Sequence, residues 1–325
     1  MEYVKLGNTG MEVSKLCLGC MGFGEPERGR EKWSIGEAES REVIKKALDS
    51  GINFFDTANL YSAGSSEEIV GKALKDFANR DEIVLASKLY FPMFDGPNAK
   101  GLSRKSIFAE IDHSLKRLQT DYLDLYIIHR WDYGTPIEET MEALHDLVKM
   151  GKVRYIGASS MHAWQFAKAQ FTAEKNGWTK FVSMQNLYNL LYREEEREMI
   201  PLLQDQNVAM TPWSPLAGGR LTRDIGAITA RASQAVQADL PAYIVASDNE
   251  VISRVHKLAD ERGITRGQVA TAWMLSKDYV TAPLIGATKV NYLDDALGAF
   301  EVALSAEEIK YLEEAYVPRN ITGYR

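Results

Sequence analysis

Three ionisable residues each stand at the end of an apolar run, and the three runs follow one another along the chain. Asp56 ends the first run, Lys88 ends the second and His129 ends the third. A phenol, Tyr61, lies in the polar loop after Asp56. If the runs are neighbouring parallel strands, about 4.8 Å apart, these side chains converge. Each residue alone has an ordinary structural explanation, but charged groups are rarely buried without partners, so the four together favour an active site.

This set of side chains suits proton transfer to a carbonyl oxygen. The unperturbed pKa of tyrosine is about 10, and a nearby lysine ammonium is expected to lower it by stabilising the phenolate. Asp56 would keep Lys88 charged and oriented, and His129 would donate a hydrogen bond to the developing oxyanion. The carbonyl carbon must then receive a hydride, which no side chain supplies, so a nicotinamide or flavin cofactor is required.

The fingerprint of a dinucleotide-binding Rossmann fold is absent, because Gly19, Gly22 and Gly24 have the wrong spacing for GxGxxG. The cofactor is therefore expected on loops after the later apolar runs. Trp213 offers a flat face for a nicotinamide, or it is an ordinary packed residue of the core. Arg220 offers a charge for a phosphate, or it is a solvated surface residue. The candidate loops are Ser159-Ser160, Gln185-Asn186, 211–216, 218–220 and 286–289.

The segments that must position these residues alternate between short apolar runs and helical patterns. Eight such units predict an α/β fold, a (β/α)₈ TIM barrel formed by residues 1–325 as a single domain. An N-terminal β-hairpin is expected around the turn Gly7-Asn8-Thr9-Gly10, and residues 217–247 form a long loop after strand 7, which is typical of a lid or a binding loop. The predicted strands are 15–19, 52–55, 83–87, 123–128, 153–158, 181–185, 209–212 and 282–286. The predicted helices are 40–50, 66–77, 103–118, 137–150, 162–176, 194–206, 249–262, 268–276, 291–300 and 306–315.

Three of the helix starts carry capping signals. Ser65-Ser66-Glu67-Glu68 and Ser305-Ala306-Glu307-Glu308 match the capping box. Thr135-Pro136 predicts a cap followed by proline at the first helical position.

The composition argues against several classes of partner. The 325 residues have a formal net charge of −7, which disfavours nucleic acid. No apolar run approaches the roughly 20 residues that span a bilayer, and the N-terminus lacks the apolar core of a signal peptide, so we expect a cytoplasmic protein without a membrane partner. Cys17 and Cys20 form a CxxC, which we interpret as part of a buried strand, because no helix starts beside it as redox chemistry would require. The sequence does not predict an oligomeric state.

Several stretches resemble signatures of the aldo-keto reductase superfamily: GINFFDTANLYSAGSSEEIVGKAL, LKRLQTDYLDLYIIHRWD, GKVRYIGASS, TPWSPLAGGRLT and PLIGATKV. The chain is similar in particular to the bacterial YajO-type subgroup, whose name links it to making 1-deoxyxylulose 5-phosphate, and also to the β subunits of voltage-gated potassium channels. The resemblance implies a barrel without a Rossmann domain that binds NADPH/NADP⁺ and reduces small aldehydes or ketones, sugar-like or phosphorylated carbonyls among them, to alcohols.

The resemblance also implies roles for individual residues. Tyr61 would be the general acid, Lys88 would modulate its pKa, Asp56 would be the partner of Lys88, and His129 would orient the carbonyl. The implied substrate pocket is lined by Leu60, Tyr90, Phe91 and Trp131. At the nicotinamide, the resemblance implies Ser159 and Gln185 at the carboxamide and Trp213 stacked on the ring. At the pyrophosphate it implies Ser214, Leu216, Gly218 and Arg220. At the other end it implies the loop from Gly286, with Thr288 and Lys289 at the 2′-phosphate, and Asp295 at the adenine.

Two departures from the family pattern concern the adenine end. Asp295 and Ala296 stand where the family often has Glu and Asn, and no Arg follows Lys289, so a preference for NADP over NAD rests on Lys289. Two other functions stay open at this point: a module that binds NADPH and senses redox state without turnover, and a barrel enzyme in which Lys88 forms a Schiff base.

Overall fold

Eight parallel strands form one sheet that closes on itself. The computed structural model describes residues 1–227 and 245–324. The strands pair in chain order from Cys17–Gly19 (β3) to Ala209–Met210 (β9), and Leu284–Gly286 (β10) pairs with β3. Thr281 N donates to Met210 O at 2.8 Å and Leu284 N donates to Pro212 O at 2.9 Å, which joins β10 to β9. The sheet is therefore a closed barrel, and the predicted (β/α)₈ fold is confirmed. Its strands are β3 (Cys17–Gly19), β4 (Phe54–Asp56), β5 (Val84–Leu89), β6 (Leu123–Ile128), β7 (Val153–Ser159), β8 (Phe181–Gln185), β9 (Ala209–Met210) and β10 (Leu284–Gly286).

Helices cover the outside of the barrel between the strands. Every residue of β5 and β6 is buried, because one face of each strand fills the barrel interior and the other lies under helices. Among the helices of the described ranges, none is long and apolar enough to cross a lipid bilayer. The helices are α1 (Glu37–Asp49), α2 (Ser65–Phe77), α3 (Arg104–Leu118), α4 (Ile137–Lys149), α5 (Ala163–Asn176), α6 (Met199–Asp205), α7 (Asp248–Arg262), α8 (Arg266–Leu275), α9 (Val290–Gly298) and α10 (Ala306–Glu313).

The predicted N-terminal hairpin closes one end of the barrel. It consists of β1 (Tyr3–Lys5) and β2 (Glu12–Ser14), which are antiparallel. A Cβ atom on Gly7, whose φ is 57°, would lie 2.8 Å from Ala209 N and 2.9 Å from Val182 O. No side chain fits there, so a glycine is needed for the turn to pack against the amino-terminal ends of β8 and β9. The predicted chemistry is therefore confined to the opposite end of the strands.

The helix predicted at 194–206 is wrong as a single element. The chain forms a 3₁₀ turn, Glu194–Glu196, and then α6 from Met199. Pro201 has no amide hydrogen and is tolerated only in the first turn of a helix, so the helix has to begin just before it. Of the predicted 217–247 loop, residues 228–244 lie outside the described part of the chain.

The capping signals have mixed outcomes. Ser305 and Glu308 form the predicted capping box. No side chain caps α2, which follows Gly64 at a φ of 90°. Pro136 is the N-cap of α4 and not its first helical residue, and the Thr135 hydroxyl donates to Asp132 instead. In both corrected cases the hydroxyl bonds outside the helix: Thr135 donates to Asp132, and Ser65 Oγ accepts from the Glu25 amide, 40 positions away.

Candidate active site

Lys88 connects the groups that the sequence places at the ends of β4 and β5. Its side chain is 0% exposed and that of Asp56 is 1% exposed. The ammonium donates to the Asp56 carboxylate, to Thr57 O at 2.8 Å and to the Tyr61 hydroxyl at 3.2 Å. All three ammonium hydrogens therefore have an acceptor, and the predicted convergence of Asp56, Tyr61 and Lys88 is present.

A second contact holds Asp56 from across the barrel. Gln185 Nε2 donates to Asp56 Oδ2 at 2.9 Å, and Ser159 Oγ donates to the Gln185 carbonyl at 2.9 Å. Gln185 ends β8 and Ser159 ends β7. The resemblance assigns both side chains to a carboxamide, whereas here the Gln185 amide fixes the rotation of the Asp56 carboxylate. No sequence pattern indicates this positioning contact.

The loop after β4 is clamped so that Tyr61 stays over Lys88. Ser62 has a φ of 45°, which is costly for a residue other than glycine. The Ser62 amide donates to Glu31 Oε2 at 3.0 Å. A Cβ atom on Gly29 would lie 2.4 Å from Ser62 Cα, so residues 24–31 pack directly on the loop. These contacts compensate for the backbone strain and keep Tyr61 buried, with 8% exposure.

The charges of the site depend on burial. Burial raises the pKa of Tyr61, and the neighbouring Lys88 offsets only part of that rise. Lys88 acts on the tyrosine pKa in the expected downward direction, but burial of the phenol acts more strongly, so the net direction is upward. Burial lowers the pKa of Lys88, but the attraction of Asp56 and Tyr61 outweighs it and the net direction is upward. Tyr61 is therefore protonated and Lys88 is charged at neutral pH.

His129 completes the predicted set from β6. Its ring lies edge-on to Tyr61, with centroids 5.8 Å apart, and edge-on to Phe91 at 5.0 Å. Burial, followed by the positive charges of Lys88 and Arg130, lowers the pKa of His129 well below its ordinary value. Within the described residues its Nδ1 has no hydrogen-bond partner. A neutral imidazole with a free nitrogen can donate to a carbonyl oxygen without titrating near pH 7.

Aromatic side chains line the wall beside this set. Tyr90 and Phe91 contact each other edge to face at 5.2 Å, and Trp131 is buried with 7% exposure. Leu60, predicted with them, is half-buried beside Tyr61 in sequence. Trp131 is 6.0 Å from the ring of Trp164, which is 58% exposed. Sequence reasoning missed Trp164, although it is an apolar residue at the start of a helix that follows β7.

Trp213 lies in the loop after β9, and its indole ring is half-buried. Its indole Nε1 donates to Ser160 Oγ at 3.0 Å. A Cβ atom on Gly323 would lie 3.4 Å from the ring, so the C-terminal segment supports the opposite edge. Ser214, at a φ of 61°, offers its carbonyl to Asn189 Nδ2 at 2.9 Å. Trp213 is thus fixed in orientation without being a fully buried core residue.

Arg220 is oriented by a carboxylate that the sequence did not single out. Its Nη1 lies 2.7 Å from Asp248, which is fully buried at the start of α7 and also pairs with Arg319. Leu216 packs against the core. Gly218 adopts a φ of 66° with open space where a Cβ would stand.

The loop after β10 offers cationic and backbone donors. Gly286 and Lys289 are exposed, and Lys289 immediately precedes α9, where free amides favour anions. Thr288 lies against Gly22, and Asp295 is half-buried on α9 near Gly267. A flat indole, an oriented guanidinium, an open glycine turn and a lysine at a helix start are the kinds of group that bind a nicotinamide dinucleotide.

Cys17 and Cys20 are both free and buried. Burial raises the pKa of both thiols, which disfavours the thiolate that redox chemistry needs. The interpretation of the CxxC as structural is therefore supported by the environment of both sulfur atoms.

The fold and the site define a class of protein: a (β/α)₈ barrel with a lysine-supported phenol at the carboxyl ends of its strands. Residues 15–317 match the model of the aldo/keto reductase family. The chain belongs to this family of oxidoreductases, which reduce carbonyl compounds.

Curated relatives extend over nearly the whole chain. A Schizosaccharomyces pombe protein with the provisional name aryl-alcohol dehydrogenase is 47% identical over 350 aligned positions, which cover 99% of this chain and 97% of the relative. The versiconal hemiacetal acetate reductase of Aspergillus parasiticus is 46% identical, covering 99% and 98%. An aldo-keto reductase of Alternaria alternata is 44% identical, covering 99% and 93%. These relatives are fungal and do not single out the bacterial YajO-type subgroup.

Proposed function

We propose that this chain reduces aldehydes and ketones to alcohols with NADPH, with Tyr61 as the proton donor. The observation that carries the proposal is the 3.2 Å hydrogen bond from Lys88 Nζ to the Tyr61 hydroxyl inside a buried site. Lys88 uses its other hydrogens on Asp56 and Thr57, so it holds the phenol oxygen in place while the phenolic hydrogen stays free to point at a substrate.

The site residues divide the work on the carbonyl group. Tyr61 would donate its proton to the carbonyl oxygen, and the charge of Lys88 would stabilise the phenolate that remains. Neutral His129 would donate a hydrogen bond to the same oxygen as negative charge develops on it. Bound NADPH would supply the hydride to the carbonyl carbon.

The proposed cofactor site consists of the loops after β7 to β10. Trp213 would lie against the nicotinamide ring, with Ser159 and Gln185 at its carboxamide. Ser214, Leu216, Gly218 and Arg220 would surround the pyrophosphate. Gly286, Thr288 and Lys289 would lie at the 2′-phosphate and Asp295 at the adenine. The exposed ammonium of Lys289 next to the start of α9 favours NADPH over NADH.

We propose aromatic carbonyl compounds as the first substrates to test. The S. pombe relative carries the name aryl-alcohol dehydrogenase, and Tyr90, Phe91 and Trp131 give this chain an aromatic wall beside His129. Sugar-like or phosphorylated carbonyls stay in the panel because of the resemblance to the YajO-type subgroup.

The experiment is steady-state oxidation of NADPH and NADH with a panel of aldehydes and ketones. Tyr61→Phe should lower kcat/KM by about 10² to 10⁴-fold, the usual contribution of a general acid, and should bind NADPH as the native chain does. Tyr3→Phe is the matched control, because it also removes one phenol hydroxyl, one that donates to Gly51 O far from the site. Full activity in Tyr61→Phe would refute the proposal.

The two other functions make different predictions. A Schiff base needs a neutral amine, whereas Lys88 is charged and paired with Asp56, so borohydride should not trap substrate on Lys88. A redox-sensing module would bind NADPH, but NADPH would not be oxidised in the presence of any carbonyl compound in the panel.

A further inference from the structure

Arg130 follows His129 directly and lies in the same aromatic pocket. Its guanidinium carbon is 5.4 Å from the centre of the Phe91 ring, and Phe91 in turn contacts His129. The charge of Arg130 acts to lower the pKa of both Tyr61 and Tyr90. Within residues 1–227 and 245–324, the one hydrogen-bond acceptor of Arg130 is the His129 carbonyl, 2.7 Å from Nη1.

Arg130 differs from comparable arginines of residues 1–227 and 245–324. Each other arginine there that is buried or half-buried has a carboxylate at ion-pair distance: Arg41, Arg80, Arg117, Arg193, Arg220, Arg254, Arg266 and Arg319. Arg130 has none, and its Nε is buried without a hydrogen-bond partner. Burial lowers the pKa of Arg130, which records the cost of keeping this charge away from water.

A half-buried cation with a buried Nε and no counterion among the described residues suggests that the counterion arrives from outside. A guanidinium presents a planar fork of hydrogen-bond donors that matches a carboxylate in a bidentate contact. Tyr61 and His129 take the carbonyl in the proposed reaction, and Arg130 lies over the Phe91 ring that also contacts His129.

We infer that Arg130 recognises an anionic group on the substrate, so that the favoured substrates are aromatic aldehydes or ketones that also carry a carboxylate. This inference rests on the proposed function for the identity of the reacting carbonyl. It adds a specificity-determining residue and a chemical class of substrate, because a carboxylate held at Arg130 would keep the carbonyl oriented towards Tyr61.

The test compares matched pairs of ligands that differ in one carboxylate. Kinetics would use 2-, 3- and 4-carboxybenzaldehyde against the corresponding methylbenzaldehydes, since the three isomers sample different separations of carbonyl and carboxylate. Calorimetry would use the carboxybenzyl and methylbenzyl alcohols, so that binding is measured even if no aldehyde is turned over. The measured quantity is the preference, the ratio of kcat/KM or of affinity between carboxylated and neutral members of a pair.

In the native chain at least one isomer should be preferred over its methyl counterpart, and Arg130→Met should reduce that preference at least tenfold. Arg130→Lys should retain part of it, because it keeps the charge and loses the fork. Arg154→Met is the matched control: it removes an exposed arginine next to Val153, at the amino-terminal end of β7, and should change the preference less than twofold.

An equal preference in the native chain and in Arg130→Met would overturn the inference, and so would a native preference for the neutral ligands of all three pairs. If Arg130→Met does not fold, the same comparison is made with Arg130→Lys, where an undiminished preference overturns the bidentate contact. Failure of the proposed function looks different: no aldehyde is reduced, while the calorimetric preference for carboxylated alcohols still depends on Arg130.

Discussion

Removing the carboxylate of Asp56 should destabilise the whole fold, and not only the reaction. Lys88 and Asp56 form an ion pair whose side chains are 0% and 1% exposed. In Asp56→Asn the ammonium stays buried with two neutral acceptors, Thr57 O and Tyr61 Oη. Breaking a buried pair by removal of one partner costs about 3–5 kcal/mol, because the remaining charge is not compensated.

The measurement is urea unfolding followed by circular dichroism. If the m value is about 3 kcal/mol per M, a loss of about 3–5 kcal/mol moves the midpoint down by about 1–1.7 M without a change in m. Asp76→Asn is the matched control, because Asp76 is 55% exposed and its pair with Arg41 lies on the surface. Such a pair contributes about 0–1 kcal/mol, so its loss should barely move the midpoint.

A second substitution separates the cost of the unpaired charge from the cost of replacing the Asp56 side chain. Asp56→Asn with Lys88→Met leaves no buried charge, so it should recover stability to within about 1 kcal/mol of the native chain. In Asp56→Asn alone, Asp56 no longer opposes the effect of burial on Lys88, and only Tyr61 still acts against it. The lysine pKa should then fall below its ordinary value, so the native state loses that proton before the unfolded chain does. Its stability should therefore rise as pH approaches about 10.4, the ordinary lysine value. A midpoint equal to that of Asp76→Asn, or a double variant as unstable as Asp56→Asn, would refute this reasoning.

Two further predictions follow from pKa directions. Because the pKa of His129 is lowered by burial and that of Tyr61 is raised by burial, kcat/KM for carbonyl reduction should be flat between about pH 6 and 9; a fall on the acidic side near the ordinary histidine value would contradict it. Burial raises the pKa of Glu195 to about 8, so the native state holds a proton that the unfolded chain releases above the ordinary value of about 4.3. Stability should therefore fall as pH rises from about 4.3 to about 8, by up to about 1.4 kcal/mol per pH unit. Urea unfolding at pH 5 and 7.5 should show this slope in the native chain and a flatter one in Glu195→Gln; equal slopes would contradict it.

The barrel and the four residues at its centre could be predicted because their signals are local. The strands that carry the site are buried on both faces and read as apolar runs, and each ionisable residue stands where its run ends. In a parallel barrel all such ends lie on one side, so position in the run is enough to bring Asp56, Lys88 and His129 together. The phenol follows from its place in the loop after β4.

The contacts that hold these residues could not be predicted, because they join distant parts of the chain. Gln185 and Asp56 are 129 positions apart, and Arg220 and Asp248 are 28 positions apart. The misassigned cap at Ser65 has the same origin: Glu68 completes the local motif, but its carboxylate pairs with Arg28, 40 positions away. The signal for Arg130 was available, since it adjoins His129, but its lack of a carboxylate partner is visible only in three dimensions.

The charges in the site determine whether it favours reduction of a carbonyl or oxidation of an alcohol. Lys88 and Arg130 bring two positive charges to the pocket against the single negative charge of Asp56, while His129 is neutral and Tyr61 is protonated. The site therefore has an excess of one positive charge before a substrate enters, and its donors are already oriented. A carbonyl oxygen gains negative charge as the carbon receives hydride, so this field stabilises the transition state more than the neutral ground state. In the proposed reaction, proton donation from Tyr61 and a positive field at the oxygen act in the same direction. The structure therefore favours reduction of the carbonyl near neutral pH. Oxidation of an alcohol substrate would need a pH high enough to ionise the buried phenol.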